Sequence, residues 1–266
     1  MRYLGRIIGF ILGFRFGGFF GGLFGFWLGY QIDKYLKIGQ SSNEKRQQVF
    51  FDTTFLVMGH VAKADGTVSV AEINKAKEIM QRLNLSTSQK EKAKDLFNQG
   101  KENDFDIDLA LAHFRNVVGS RNNLAMMFLE IQISASLADG NIHPLEREIL
   151  LKVCSAIGVP QVLFEQIVNM IIAGQNFSQS SGYSHSGQSS QQNPEIQLEQ
   201  AYQTLGLSPS ATDAEIKRAY RKLISQHHPD KLQAKGLPDE MLKIAADKTH
   251  AIKQAYEIIK NSRNFK

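Results

Sequence analysis

The sequence predicts an all-α protein made of consecutive parts. Three observations predict it: an apolar, glycine-rich N-terminal segment, helical periodicity with almost no β pattern in the middle, and a basic amphipathic helix followed by His-Pro-Asp near the C-terminus. We therefore predict a short N-terminal segment (1–6), a transmembrane helix (7–30), a helical domain (44–174), a Ser/Gln-rich linker (175–196) and a C-terminal helical hairpin domain (198–266).

Composition narrows the class of protein. The 266 residues carry a formal charge of +5, and residues 200–266 hold 12 Lys and Arg against 7 Asp and Glu. This local basic excess predicts an acidic protein partner for the C-terminal part and disfavours nucleic acid as a partner of the whole chain. The single cysteine, Cys154, excludes a disulfide framework and indicates a reducing compartment. We expect it to be a small buried apolar residue.

Residues 7–30 are long and apolar enough to cross a bilayer as a helix. The 24 residues extend about 36 Å as a helix, and Arg15 is their only charge. Trp27 and Tyr30 lie where aromatic residues meet the membrane interface. A cleaved signal peptide needs a shorter apolar core and a small-residue cleavage site. We predict a membrane anchor that contacts lipid, with a buried soluble segment as the alternative.

Glycines recur at every fourth position of this segment. Such a row forms one ridge of a helix, and small residues on a ridge let a second backbone approach closely. The spacing therefore predicts self-association as a homodimer. The row includes Gly9, Gly13, Gly17, Gly21 and Gly25.

Flanking charges predict the orientation of the anchor. Arg2 and Arg6 precede it, whereas Lys34, Lys37, Lys45 and Arg46 follow it. Since Lys and Arg accumulate on the cytoplasmic side, we predict an external N-terminus and cytoplasmic C-terminal domains.

The middle region contains an internal duplication. Residues 62–86 and 136–160 match at an offset of 74, each with an Asp-Gly turn before a helix. An EF-hand is excluded, because its first ligand positions are apolar or basic here. A different metal site on Asp65, Glu72, Asp139 and Glu146 stays open as an alternative. The repeat resembles the TerB-like (tellurite-resistance) helical domain, which implies a helical fold and a protein-interaction role.

Helix ends in this domain have local signals. We predict helices near 44–63, 69–83, 87–99, 105–118, 121–138, 144–157 and 160–173. Ser86 and Gln89 form a predicted capping box, and Gly119, Gly158 and Gly174 are predicted terminators. The linker that follows is too polar to offset its chain entropy, so we expect a flexible tether.

The C-terminal region predicts a helical hairpin. Thr212 and Glu215 form a predicted capping box, and an apolar stripe runs along the helix that they open. Pro229 disfavours helix at His228, so this helix should end near His227. After the loop, apolar residues recur at alternating spacings of three and four, which predicts a second helix that packs antiparallel to the first. His228-Pro229-Asp230 then lies at the end of the hairpin. The basic residues opposite the stripe are Lys217, Arg218, Arg221 and Lys222.

This arrangement resembles the J domain. The matching residues are Ala201-Tyr202, Leu205-Gly206-Leu207, 216–231 and 254–260. The resemblance implies docking on a DnaK-type chaperone, with the carboxylate of Asp230 accepting from a chaperone Arg. It also implies that His228, Pro229 and the four basic residues belong to the docking face. No cofactor or metal, and no catalysis by this chain, is implied.

The order of the parts resembles a bacterial family of membrane-anchored, DnaJ-like co-chaperones. The resemblance implies a place in the inner membrane, recruitment of a DnaK-type chaperone with its nucleotide exchange factor, and roles in stress response, envelope signalling or capsule control. Three alternatives remain from the residues: a nucleic-acid binder using the basic helix, a TerB-like metal-binding or stress protein whose J domain is accessory, and an envelope structural protein.

Overall fold

The computed structural model describes residues 4–64, 66, 70–83, 85–119, 122–137, 140–180 and 194–264. Regular structure within these ranges is entirely helical, as predicted. The helices are α1 (Leu4–Ala62), α2 (Val70–Arg82), α3 (Thr87–Gly100), α4 (Ile107–Val118), α5 (Asn122–Ser136), α6 (Pro144–Ile157), α7 (Val162–Ser180), α8 (Pro194–Thr204), α9 (Asp213–His227), α10 (Pro229–Lys235) and α11 (Leu242–Arg263), with a 3₁₀ turn at Asp239–Met241. The chain divides into two compact units, Met1–Gln47 and Gln48–Lys266.

The N-terminal unit is the helical segment that carries the predicted anchor. Its large apolar side chains are solvent-exposed, for example Phe20 at 82% and Trp27 at 53%. Within the part of the chain that the structure describes, no single helix satisfies a combined length and hydropathy criterion for a membrane span. The pair Pro144–Ile157 and Val162–Gly174, bent by 119°, satisfies it together.

Local caps explain where the helices of the second unit begin and end. Ser86 and Gln89 form the predicted capping box of α3, and His143 and Glu146 form one at α6, where Pro144 occupies the first turn. Gly119 and Gly158 follow α4 and α6, as predicted. The prediction for Gly174 is wrong: α7 continues to Ser180, because Gly174 keeps a negative φ and neither Pro nor Gly follows before Ser180.

Aromatic packing forms the centre of the helical domain. Phe50 of α1, Phe114 of α4 and Phe128 of α5 are almost completely buried, and their ring centroids lie 4.5–6.0 Å apart. Cys154 lies in the same core, and burial raises the pKa of its thiol to about 11. The thiol is therefore protonated at neutral pH, which agrees with the predicted structural role.

Helices α1 and α3 approach each other through glycine. A Cβ atom on Gly59 would overlap the carbonyl oxygen of Phe97, and one on Gly100 would overlap the carbonyl oxygen of Leu56. The two contacts are reciprocal, so each helix uses one glycine to admit the backbone of the other. No larger residue fits at either position without separating the helices.

The C-terminal hairpin closes around its own core. Ile216 and Leu223 of α9 pack with Ile252 and Ile259 of α11, as the apolar stripe and seam predicted. Tyr220 and Tyr256 stack with centroids 4.1 Å apart. The turn after α9 contains a short helix, α10, so the His-Pro-Asp motif leads directly into helix.

The hairpin also packs directly on the helical domain. Leu232, Leu237 and Met241 join the core of the helical domain and are fully buried, while Met170 of α7 packs against the core of the hairpin. Helix covers residues 175–180 and 194–196 of the predicted linker, and 181–193 lie outside the described residues. The sequence predicted two domains joined by a tether and did not predict their contact.

We expect Gly100→Ala to lower the free energy of unfolding by about 2–3 kcal/mol, because its methyl group has no space against the carbonyl of Leu56. Gly174→Ala is the matched control: nothing lies within 4 Å of the position that its Cβ atom would occupy, so this change should be neutral or slightly stabilising. Urea denaturation followed by circular dichroism measures both. Equal effects of the two substitutions would contradict the close crossing.

Candidate functional site

The His-Pro-Asp motif lies at the end of the hairpin, with Asp230 exposed and His228 and Pro229 half-buried. We call these three residues the tip. Pro229 occupies the first turn of α10, and the Nδ1 atom of His228 accepts from the backbone N–H of Asp230 at 3.2 Å. The side chain of Asp230 is 88% exposed. Its carboxylate is therefore available to accept hydrogen bonds from another molecule.

The four basic residues lie on α9, the helix that leads into the tip. Arg218, Arg221 and Lys222 are exposed, and Lys217 is half-buried. The Nε atom of Arg221 donates to the carbonyl of Lys217 at 3.3 Å, which keeps the guanidinium along the helix. The structure thus brings a cationic helix face and an exposed carboxylate together on one hairpin, as the sequence predicted for a site that meets an acidic surface containing an Arg.

His227, directly before the tip, belongs to a buried contact that the sequence did not predict. Its Nε2 lies 2.8 Å from Oε1 of Glu130 in α5, and its Nδ1 lies 2.9 Å from the carbonyl oxygen of Leu223. The carboxylate of Glu130 can only accept, so the ring of His227 supplies a hydrogen-bond donor to this buried acceptor. The sequence signal for this contact is Glu130 within the apolar run of α5, because a buried carboxylate requires a hydrogen-bonding or cationic partner.

In these contacts, both side chains that pair with the Glu130 carboxylate come from the hairpin. Lys248 of α11 places its Nζ 3.6 Å from Oε2 of Glu130, and His227 occupies the other oxygen. Burial raises the pKa of the Glu130 carboxyl, but the opposite charges of His227 and Lys248 outweigh burial and lower that pKa from 4.5 to about 2. The carboxylate is therefore ionised at neutral pH.

Further hydrogen bonds hold the last turn of α9. Helix C-termini leave carbonyl groups without helical partners, and Pro229 has no N–H to offer. The Nδ2 atom of Asn123 donates to the carbonyl oxygens of Ser225 and Gln226, both at 3.3 Å. The hydroxyl of Thr249 donates to the carbonyl oxygen of His227 at 3.0 Å. The residues before the tip are thus held by the helical domain as well as by α11.

The alternative metal site receives no structural support from the described residues. Asp65 and Asp139 lie outside them, as does the side chain of Glu72. Glu146 accepts from the backbone N–H of His143 at 3.0 Å, which is a capping role. Nor does any group of three His, Cys, Asp or Glu side chains in the described ranges suit a metal ion.

The glycine row lies on α1, in the N-terminal unit. Gly25 is buried and Gly21 is half-buried. The surroundings of Gly9, Gly13 and Gly17 lie outside the described residues. Their predicted role in self-association therefore stays a prediction.

Family comparisons identify all three parts. Residues 1–48 match the model of the "Co-chaperone DjlA transmembrane domain", 52–169 match "Tellurite resistance protein TerB", and 200–265 match the "DnaJ domain". The last match contains the tip and the basic helix. These matches define the class of protein: a membrane-anchored co-chaperone with a TerB domain and a J domain.

Relatives over nearly the whole chain identify the family. Co-chaperone proteins DjlA from Vibrio cholerae serotype O1, Escherichia coli O157:H7 and Yersinia pestis are 43%, 41% and 40% identical over 257, 247 and 251 residues. Each alignment covers 90% of this chain and 90% of the relative. The chain belongs to the DjlA co-chaperone family, which is not enzymatic, and its partner is a DnaK-type chaperone. No solved structure matches.

The buried carboxylate predicts a pH-dependent stability. Because the pKa of Glu130 is lower in the folded chain than its ordinary value, its stabilisation is complete above about pH 4.5 and is lost as the pH falls towards 2. We expect Glu130→Gln to lower the free energy of unfolding at pH 7 by about 3 kcal/mol, with the difference narrowing below pH 4.5. Urea denaturation of the full chain in detergent measures it.

Asp108→Asn is the control for this measurement. Asp108 pairs with Lys152 at 2.7 Å, but its side chain is 66% exposed, so its loss should cost less than about 1 kcal/mol. A difference between wild type and Glu130→Gln that stays constant from pH 7 to pH 2 would contradict the assignment of Glu130.

Proposed function

We propose that this DjlA-family protein stimulates ATP hydrolysis by a DnaK-type chaperone through its tip, at the cytoplasmic face of the inner membrane. The observation that supports the proposal is the exposed carboxylate of Asp230 beside the cations of α9 on a single rigid hairpin. The chain supplies no catalytic group, and the ATP is hydrolysed by the chaperone.

The tip works by presenting one acceptor in a fixed place. Pro229 fixes its own φ, and His228 accepts from the backbone N–H of Asp230, so the backbone of Asp230 is ordered before the chaperone arrives. An Arg of the chaperone donates to the carboxylate of Asp230, and a hydrogen bond between charged groups contributes about 1.5–3 kcal/mol. Little conformational entropy is lost on docking, because the acceptor is already in place.

The basic residues of α9 recruit the chaperone. Arg218, Arg221 and Lys222 are exposed cations, so they attract an acidic surface over a distance of about 8–10 Å at physiological ionic strength. Their contribution is to the rate of encounter and to the register of docking. Lys217, half-buried at the start of the row, completes this docking face.

Membrane anchoring places these events near the bilayer. The excess of Lys and Arg after the anchor supports a cytoplasmic position for the TerB and J domains and an external N-terminus. Anchoring raises the local concentration of the J domain for chaperones that act on membrane-proximal clients. A nucleotide exchange factor then completes the ATPase cycle of the chaperone. We assign this cycle to envelope signalling or capsule control.

The glycine row joins two chains within the membrane. Seven glycines at a spacing of four, including Gly17 and Gly21, give a helix ridge without side chains. Two such ridges pack by close backbone contact, which is a driving force for association in lipid. The resulting homodimer presents two J domains.

We expect Asp230→Asn to abolish stimulation of single-turnover ATP hydrolysis by DnaK, because the amide replaces the charged acceptor while the hairpin core is untouched. His228→Gln should act in the same direction. Glu257→Gln removes an exposed carboxylate from α11 of the same domain and is the control, with stimulation unchanged. A wild-type protein that leaves DnaK hydrolysis at its basal rate, or an Asp230→Asn variant that stimulates fully, would overturn the proposal.

Self-association and orientation share one measurement. Two fragments of a reporter enzyme that functions only in the cytoplasm are fused to the C-terminus of the full chain, and they complement each other if the chains associate with cytoplasmic C-termini. We expect a strong signal for wild type and loss of it for Gly17→Leu with Gly21→Leu, since the leucines fill the ridge. Phe20→Leu, off the row, is the control. An intact reporter that is inactive in the same fusion would show the opposite orientation.

A further inference from the structure

We propose that Glu130 of the TerB domain is a positioning residue for the tip of the J domain, acting through His227. The inference rests on the proposed function of the tip. It adds a role for the TerB domain: this domain holds the J domain in the arrangement in which the tip engages the chaperone.

Contacts with the TerB domain hold the tip on both sides. On the N-terminal side, His227 is 3% exposed and donates to Glu130. On the C-terminal side, Leu232 is fully buried in the core that it shares with the TerB helices. Only Asp230 and its neighbours between these two residues reach solvent, so the TerB contacts determine where this short exposed segment points.

The backbone before the tip also depends on the TerB domain for hydrogen-bond donors. The last turn of α9 cannot extend its helical hydrogen bonds through Pro229. Asn123 of the TerB domain donates to the carbonyls of Ser225 and Gln226, and Thr249 donates to that of His227. The TerB domain therefore completes the hydrogen bonding of the turn that carries the tip.

The charge of Glu130 also joins the two domains. Glu130 supplies the negative charge between His227 and Lys248, at 2.8 and 3.6 Å. If Glu130 is neutralised, the buried boundary loses the carboxylate that accepts from His227, and the ammonium group of Lys248 loses its counter-charge. The contact between the domains should then open, whereas the hairpin keeps its own core around Ile216 and Ile252. Substitution of Glu130 is therefore expected to change the position of the tip and to leave the fold of the J domain intact.

Kinetics separate positioning from recruitment. The full chain is reconstituted in liposomes, and DnaK hydrolysis is measured against co-chaperone concentration for wild type, Glu130→Gln and Arg221→Ala. We expect Glu130→Gln to lower the maximal stimulation about fivefold while the half-maximal concentration changes less than about twofold. Arg221→Ala should instead raise the half-maximal concentration, because it removes a recruiting cation. Asp108→Asn, which breaks an exposed ion pair of the TerB domain, should match wild type.

A second measurement reads the domain contact without DnaK. Asn122→Cys and Gln226→Cys place thiols on the two sides of a cleft at the contact and leave Asn123 in place, and the native Cys154 is buried and unreactive. A short bis-maleimide should join the two in the wild-type background and join them at least about threefold less in Glu130→Gln. Glu130→Asp keeps the charge and should recover part of both the cross-linking and the maximal stimulation. Circular dichroism checks that helix content is retained, and if Glu130→Gln loses it, the comparison rests on Glu130→Asp.

The outcomes are distinguishable. Reduced cross-linking together with reduced maximal stimulation supports the positioning role. Full stimulation by Glu130→Gln, with Asp230→Asn inactive, overturns this proposal and leaves the proposed function intact. An equal loss for Asp108→Asn also overturns it, because the effect would then follow any lost ion pair. A wild type that does not stimulate DnaK overturns the proposed function and this inference, even where cross-linking shows the contact.

Discussion

A buried carboxylate links the two folded domains of this co-chaperone. Glu130 lies in α5, among the most buried helices of the TerB domain, where an ionised group without partners is strongly unfavourable. Both of its cationic partners, His227 and Lys248, come from the J domain. The charge balance within the TerB domain therefore depends on the presence of the J domain, and the apolar contacts around it exclude the water that would otherwise solvate the charge.

Pro229 has two connected effects at the other end of this contact. It ends α9 and begins α10, which leaves His228 and Asp230 at the surface. It also leaves carbonyls in the last turn of α9 without helical donors, and Asn123 reaches them from the TerB domain. The residue that exposes the motif thus creates the acceptors by which the neighbouring domain holds it.

Local rules predicted most of the fold, and nonlocal contacts account for what they missed. The capping boxes at Ser86 and Thr212, the end of α9 at His227 and the seam of α11 depend on residues within one or two turns of each other. The extension of α7 beyond Gly174 was missed because glycine alone does not end a helix. The partner of His227 was missed because Glu130 lies 97 residues away, and no periodicity connects them. The tip and the basic helix were found because their signal is contiguous in the sequence.

The contact between α7 and α8 also affects how the chain tolerates change. The two helices pack on each other although residues 181–193 separate them in sequence, so the distance to be bridged is set by the helices. Lengthening that stretch costs only the slowly growing entropy of a larger closed loop, about 0.6 kcal/mol for each doubling. Insertion of serines or glutamines into that stretch should therefore cost little stability, whereas substitutions on the facing sides of α7 and α8 should weaken the contact between these helices.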